Sequence, residues 1–296
     1  MEYLGELSAI GAAFMWSFSS ILFTSLALKI GSVQLNFWRL IIAVVLLGIT
    51  IYIADIPMNL TQNQLLFLSL SGIIGLVLGD TFLFLSFKEI GPRLSMLIMA
   101  SNPAIAAIIA FFIFNEKLSL IALTGMLLIL GGIYLVITRK TEKINSKFKI
   151  TGRGVLFGFL AALGQATGLI LTKMAFNDAD LNGLAATQIR IIAAILIMLP
   201  TLVIAKRFKN PFTLFGKDMK LFGTLTLSSF IGPYLGINLS YLAIIYTKIG
   251  IAATLMSLVP IIMLPLTVII YKEKLSATSI IGTIITVAGV AILFLR

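Results

Sequence analysis

The tetrapeptide Glu116-Lys117-Leu118-Ser119 returns unchanged, 157 positions later, as Glu273-Lys274-Leu275-Ser276. The register holds on both sides of it: Pro103, Gly125 and Gly132 recur as Pro260, Gly282 and Gly289 at the same shift. Further upstream, Arg39, Ile41 and Ala43 recur as Arg190, Ile192 and Ala194 at a shift of 151. Apolar runs match one another by chance. A charged tetrapeptide in fixed register with Pro and Gly does not, so the chain carries two copies of one module.

Around these markers lie ten apolar windows, at residues 6–28, 33–53, 65–87, 94–114, 119–138, 153–175, 184–205, 219–244, 250–271 and 277–295. Each is close to the about 20 helical residues that cross a hydrocarbon core about 30 Å thick. Five windows fall in each copy. An odd number makes the second copy enter the bilayer from the opposite face, so the halves are inverted about an axis in the membrane plane. The expected fold is an all-α integral membrane protein of ten transmembrane helices in two inverted five-helix repeats. Residues 1–138 form the first repeat, 139–152 a basic linker and 153–296 the second, together making one transport unit.

Composition narrows the chemistry. The chain is 59% hydrophobic and 11% charged, with a mean hydropathy of +1.11, too apolar for a water-soluble domain. The Met1 end has no basic n-region followed by a small-residue cleavage site, so no cleaved signal peptide is expected. With neither Cys nor His, thiol chemistry, imidazole bases and most zinc or haem sites are removed. No phosphate-binding loop of the form G-x-x-x-x-G-K-[ST] is present. No catalytic residue, metal or cofactor is therefore expected. In a soluble protein a net charge of +11 would point to nucleic acid. Here the cations sit in loops, so the expected partners are a small-molecule substrate and the lipid bilayer, with no nucleic acid and no oligomer required.

Those cations also orient the chain. Ten spans put both termini on one side. Sixteen Lys and Arg lie in loops on the opposite face, among them Lys88, Arg93, the linker cluster from Arg139 to Arg153, and Lys206, Arg207 and Lys209. Only Lys117, Lys173, Lys248 and Arg296 lie on the terminal face. The positive-inside rule places the basic face and the 139–152 linker in the cytoplasm, with the termini outside a plasma membrane.

The pattern resembles the EamA family of the drug/metabolite transporter superfamily over nearly the whole chain. Trp16-Ser17 in span 1, Arg39 in span 2, Pro103 in span 4, Glu116, and Gly125 with Gly131-Gly132 in span 5 carry the resemblance. In the second half it rests on Arg190, Pro260, Glu273, Gly282 and Gly289. The second copy has Leu163-Gly164-Gln165 where the first has its Trp. The resemblance implies a ten-helix carrier of amino acids, other metabolites or toxic compounds.

Glycine spacing, Gly75-xxx-Gly79, Gly154-xxx-Gly158, Gly164-xxx-Gly168 and Gly232-xxx-Gly236, puts spans 3, 6 and 8 inside the bundle by letting backbones approach closely. Spans 5 and 10 have few polar residues and are expected against lipid or a neighbour. Pro103, Pro233, Pro260 and Pro265 interrupt spans, each freeing a carbonyl, and the repeated pair Pro103 and Pro260 are candidate hinges. Glu116 and Glu273, with Ser119 and Ser276, read as helix-start residues.

Charges inside a membrane are costly, at about 2.5–3.5 kcal/mol near a helix centre. Arg39 and Asp80 lie at equal depth, about two helical turns from the basic face, and are expected to pair, pinning helices or acting as a gate. Arg190 sits at the matching depth from the other face, with neutral Asn238 as its expected partner. An aspartate held by an arginine is a poor proton carrier, so facilitated diffusion or exchange is expected.

A substrate in an inverted-repeat carrier sits near the midplane, between the repeats. The polar and aromatic residues at that depth are Trp16, Ser17 and Ser20 (span 1), Ser101 and Asn102 (span 4), Gln165 and Thr167 (span 6), Ser228, Tyr234, Asn238 and Tyr241 (span 8) and Ser257 (span 9). The candidate substrate-binding residues are Trp16, Ser17, Ser20, Asn102, Gln165, Tyr234, Asn238, Tyr241 and Ser257. With no unpaired charge expected at the midplane, the substrate expected is a small neutral, zwitterionic or amphipathic metabolite moved by alternating access. Multidrug efflux and a non-transporting membrane scaffold are the alternatives.

Overall fold

The computed structural model describes residues 3–115, 117–138, 148–216 and 218–294. Glu116 and residues 139–147 of the basic linker lie outside the described residues.

Every described element is helical. Helix α1 (Leu4–Ile30) ends at Gly31, whose φ of 87° reverses the chain directly into α2 (Ser32–Ile53). Thr61 and Gln64 form a reciprocal capping box at the start of α3 (Gln62–Ser71), satisfying two otherwise orphaned amides. The helix then widens into a π-helical segment, Gly72–Gly79, and continues as α4 (Asp80–Met99). Gly91, at φ 78° and ψ 167°, breaks α4 ahead of Pro92. The 38-residue run Gln62–Met99 is therefore two passes, and the 13-residue helix α5 (Asn102–Phe114) completes the second. With α6 (Leu120–Thr138), α7 (Gly152–Asp178), α8 (Gly183–Ile204) and the short α9 (Pro211–Phe215) the chain reaches span 8. That span is α10 (Met219–Ser229), a second π segment Phe230–Gly236, and α11 (Ile237–Tyr246). Span 9 is α12 (Ile249–Met256) plus α13 (Val259–Tyr271), and span 10 is α14 (Ala277–Phe294). The described residues thus make ten passes.

The backbone repeats where the side chains do not. Among the described residues, four without a glycine's freedom have a left-handed φ: Asp55 (48°), Asn115 (53°), Lys206 (53°) and Lys272 (54°). They form two pairs, at the shifts of 151 and 157 found in the sequence. Left-handed backbone costs about 1–2 kcal/mol per residue, so its repetition marks turns that both copies require. Both π segments carry glycines at equivalent positions, Gly75 and Gly79 against Gly232 and Gly236. Spans 4 and 9 break at equivalent points, Ala100-Ser101 and Ser257-Leu258.

The inversion is visible in α6 and α14. A Cβ on Gly125 would lie 2.8 Å from the Gly289 carbonyl oxygen, and one on Gly282 would lie 2.8 Å from that of Gly132. The repeat shift carries the Gly125–Gly289 contact onto Gly282–Gly132, so the two helices run antiparallel about a local two-fold axis. They are the spans expected to face lipid or a neighbour, and the neighbour is each other: Ala122, Ile129, Ile133 and Val290 are fully buried among them. Spans 2 and 7 pair in the same way through Leu40, Ala43, Leu47, Ile191, Ala194 and Met198. Spans 3 and 6 interlock through glycines, with Gly79 Cα only 2.8 Å from where a Gly164 Cβ would stand. Close backbone approach of this kind is what holds helices together when no hydrophobic driving force separates them from lipid.

One expectation about the prolines is corrected. Pro103 and Pro260 do not free a carbonyl in mid-helix. Each stands in the first turn of a new helix, α5 or α13, where an amide has no intrahelical partner in any case. The span is broken just before the proline rather than kinked by it.

Candidate functional site

The wide turn of the first π segment leaves carbonyls open to side-chain donors, and a polar network grows from it. Asn36 Nδ2 on α2 donates to the Leu76 carbonyl at 2.7 Å and to Thr81 Oγ1 at 2.9 Å. Its Oδ1 accepts from Arg39 Nε (3.0 Å) and Nη2 (2.9 Å), which fixes the guanidinium. Arg39 Nη2 also donates to Asp80 Oδ2, and the side chains are 8% and 10% exposed. The guanidinium carbon lies 5.0 Å from the centre of the Phe84 ring and 6.0 Å from that of Phe23, a cation–π setting that screens the pair from lipid. The second carboxylate oxygen of Asp80 accepts from Gln165 Nε2 at 2.6 Å, and the same amide reaches the Gly75 carbonyl at 3.2 Å. Asp80 is therefore held from both repeats: Arg39 belongs to the first and Gln165 to the second.

Arg190 lies on the other side of this network. A Cβ on Gly75 would stand 3.4 Å from Arg190 Nη2 and 3.8 Å from Gln165 Oε1. The expected Arg190–Asn238 hydrogen bond is not formed. Asn238 Nδ2 donates instead to the Tyr234 carbonyl four residues back, at 2.8 Å. Arg190 Nε is buried without a hydrogen-bond partner among the described residues. The reason is in the repeat. The position equivalent to Asp80 is Ile237, so the second repeat has no carboxylate to match the one that Arg39 holds.

The remaining candidates divide into two groups. Ser17 and Ser20 are buried in packing: Ser17 Oγ donates to the Ala13 carbonyl at 2.7 Å and Ser20 Oγ to the Ser17 carbonyl, also at 2.7 Å. Both bond back to their own helix and also reach the Val259 carbonyl and the Met263 sulfur. Trp16, Asn102, Gln165, Tyr234, Asn238, Tyr241 and Ser257 are half-buried. Trp16 packs on Gly236, where any Cβ would collide with the indole. Tyr234 shares a 2.8 Å hydrogen bond with Thr50 on α2 and stacks on Phe230 at 5.3 Å. Tyr241 covers Gly183 at the start of α8. Ser257 Oγ donates to the Thr254 carbonyl at the break in span 9. At the equivalent break in span 4, Asn102 Oδ1 is buried with no hydrogen-bond partner among the described residues. Two broken spans, one from each repeat, thus place a half-helix N-terminus and a half-buried polar side chain at equivalent points.

A second ion pair escaped the sequence reading. Arg93, counted there as a loop cation, donates from Nε to Glu273 Oε2 at 2.9 Å, with both side chains 7% exposed or less. Arg93 Nη1 reaches Ser279 Oγ as well. The signal available was the repeated Glu itself, set aside as a helix-start residue. Groups of three or more His, Cys, Asp or Glu able to hold a metal ion are absent among the described residues.

Comparison with known proteins agrees with this geometry. A family model described as the EamA-like transporter family matches residues 3–138 and again 152–295. The chain is 27% identical over 142 residues to an uncharacterized transporter of Clostridium kluyveri, covering 48% of this chain and 44% of that protein. It is 35% identical over 80 residues to the multidrug resistance protein EbrB of Bacillus licheniformis, covering 27% of this chain and 67% of that one. The chain thus spans less than half the length of the first of these relatives. A solved crystal structure superposes with a TM-score of 0.66 over 99% of this chain and 96% of its own, at 16% identity, a likeness of fold alone.

Proposed function

The chain belongs to the EamA-like transporter family, and on that premise we propose that it is a secondary carrier moving a small amino-acid-like metabolite by alternating access. One observation carries the proposal: each of the two repeats contains a span broken at the equivalent point, Ala100-Ser101 and Ser257-Leu258, with a half-buried polar residue, Asn102 or Ser257, at the break. Inverted repeats with discontinuous helices recur in carriers because exchanging the conformations of the halves opens one shared site to each face in turn. Asn102, Ser257, Trp16, Gln165 and Tyr234 are the side chains we assign to that site, and Pro103 and Pro260 mark its hinges. Arg190, whose Nε has no hydrogen-bond partner among the described residues, supports a substrate with one carboxylate, whether zwitterionic or monoanionic, and disfavours a polyanion, which would need several cations beside it.

Arg39 and Asp80 act in this reading as a gate that forms in one state and opens in the other. Gln165 reports to it from the second repeat. Asp80 already accepts from two donors, which favours facilitated diffusion or exchange over proton coupling. The carrier sits in the plasma membrane with its basic face in the cytoplasm.

Multidrug efflux is the second reading, favoured by the likeness to the Bacillus multidrug resistance protein. Proteoliposomes separate the two. Counterflow of one amino acid that others compete for supports the metabolite carrier. Accumulation of structurally unrelated cationic dyes, with no amino-acid counterflow, supports efflux and overturns the first proposal.

A further inference from the structure

Where spans 2 and 7 reach the basic face they part around a cleft of about 330 Å3, lined by Ser32, Gln34, Lys206, Arg207 and Lys209 among others. Two of its lining residues, Val33 and Leu202, also line a second cavity of about 170 Å3. That one is almost wholly apolar and runs between spans 2, 3 and 7 past Val77, Leu78, Phe82 and Met198. A cationic pocket thus opens onto an apolar groove with shared walls.

The cationic end is built, not merely solvated. The left-handed turn at Lys206 folds the loop back on α8, with the amides of Arg207 and Phe208 donating to the Leu202 carbonyl at 2.9 and 3.0 Å. Gln34 Nε2 donates to the Arg207 carbonyl, and the Phe208 ring packs edge-on against Phe37 at 5.9 Å. The backbone that carries Lys206, Arg207 and Lys209 is therefore fixed at the cleft, and none of the three has a carboxylate partner among the described residues. Facing them is the N-terminus of α2, where Gly31 provides no capping side chain. Ser32 there is 4% exposed, and its Oγ has no hydrogen-bond partner among the described residues. Helix amides and an unused hydroxyl opposite three cations suit a phosphate. A free phosphate would make no use of the groove.

We propose that the cleft and groove together bind an anionic phospholipid, its phosphodiester between Lys206, Arg207, Lys209 and Ser32 and an acyl chain along Val77, Leu78 and Phe82. Basic pockets between helices at a cytoplasmic surface take up anionic headgroups by the same physics. The lipid would tie spans 2 and 3 of one repeat to span 7 of the other, whatever solute the protein carries.

Native mass spectrometry of the delipidated full-length protein tests this, using phosphatidylglycerol and phosphatidylcholine with identical chains. Phosphatidylglycerol is expected to bind on the order of tenfold more tightly. The exposed-loop variant Lys206→Gln/Arg207→Gln/Lys209→Gln should reduce it to the level of phosphatidylcholine. Thr201→Trp, which fills the groove, should weaken both lipids. Equal binding of the two lipids by the unmodified protein, or an undiminished preference in the triple variant, overturns the proposal. Displacement of phosphatidylglycerol by equimolar glycerol 3-phosphate overturns it too, in favour of a soluble phosphate ligand.

Discussion

Arg93, at the start of span 4, and Glu273, in the turn between spans 9 and 10, form a buried ion pair across the two repeats at 2.9 Å. The tie lies at the basic face, so this state is latched there. Removing one partner breaks a buried ion pair, a loss of about 3–5 kcal/mol. Glu273→Gln and Arg93→Gln should each lower the melting temperature in detergent, and Arg93→Glu/Glu273→Arg should recover part of it. A double variant no more stable than either single would show that the two residues are not energetically coupled.

The Arg39–Asp80 pair makes a separable prediction. Asp80→Asn keeps the shape and the Gln165 contact but discharges the acceptor, leaving two arginines and no carboxylate in the network. Transport in proteoliposomes should fall at least tenfold, since about 1.4 kcal/mol of lost pairing in one state already gives that factor. Arg39→Asp/Asp80→Arg should restore part of the rate. A double variant no better than either single would remove the gate from the mechanism.

Arg190 separates the substrate classes. Arg190→Gln removes this cation while leaving the Arg39–Asp80 pair in place. For a substrate anchored by its carboxylate, half-saturation should rise by one to two orders of magnitude, the about 1.5–3 kcal/mol of a charge-assisted hydrogen bond. Amide-capped analogues should lose their disadvantage in the variant. An unchanged half-saturation would assign Arg190 to packing.

How far the sequence carried this reading depends on what is one-dimensional. Ten passes and two copies were legible because span length and repeat register are properties of the string. The pairing of α6 with α14 was not, although Gly125, Gly132, Gly282 and Gly289 repeat in fixed register. Register tells that two helices are equivalent, not that they touch. The same limit hid Arg93–Glu273, whose partners are 180 positions apart and lie in regions that read as loops. Depth matching brought Arg39 and Asp80 together. It failed for Arg190, because the two-fold that predicts its partner lands on Ile237, and Asn238, one residue on, turns to its own helix.

Glycines at the α6–α14 crossing should be intolerant in a graded way. A Cβ at Gly289 would stand 2.7 Å from the Gly125 carbonyl oxygen and at Gly282 2.8 Å from that of Gly132, both backbone atoms that cannot move aside. At Gly131, one residue from the crossing, nothing lies within 4 Å. Gly289→Ala and Gly282→Ala should each cost about 1–3 kcal/mol by overpacking, read as a lower melting temperature, and Gly131→Ala should be neutral. If all three behave alike, the antiparallel crossing is wrong.

Orientation can be tested without engineering a background, because the chain contains no Cys. Met58 and Lys209 are both exposed, one in the loop between spans 2 and 3 on the terminal face, the other in the basic loop between spans 7 and 8. With sixteen of the loop cations on the basic face, Met58→Cys should react with a membrane-impermeant maleimide in intact cells, and Lys209→Cys only after permeabilisation. Cysteines in the loops between spans 1 and 2 and between spans 6 and 7, one per repeat, extend the test to the inversion. They stand at equivalent places in the two repeats and must label from opposite sides. Labelling from the same side would leave the two-fold without a membrane to invert across, and alternating access by exchange of the halves would have no basis.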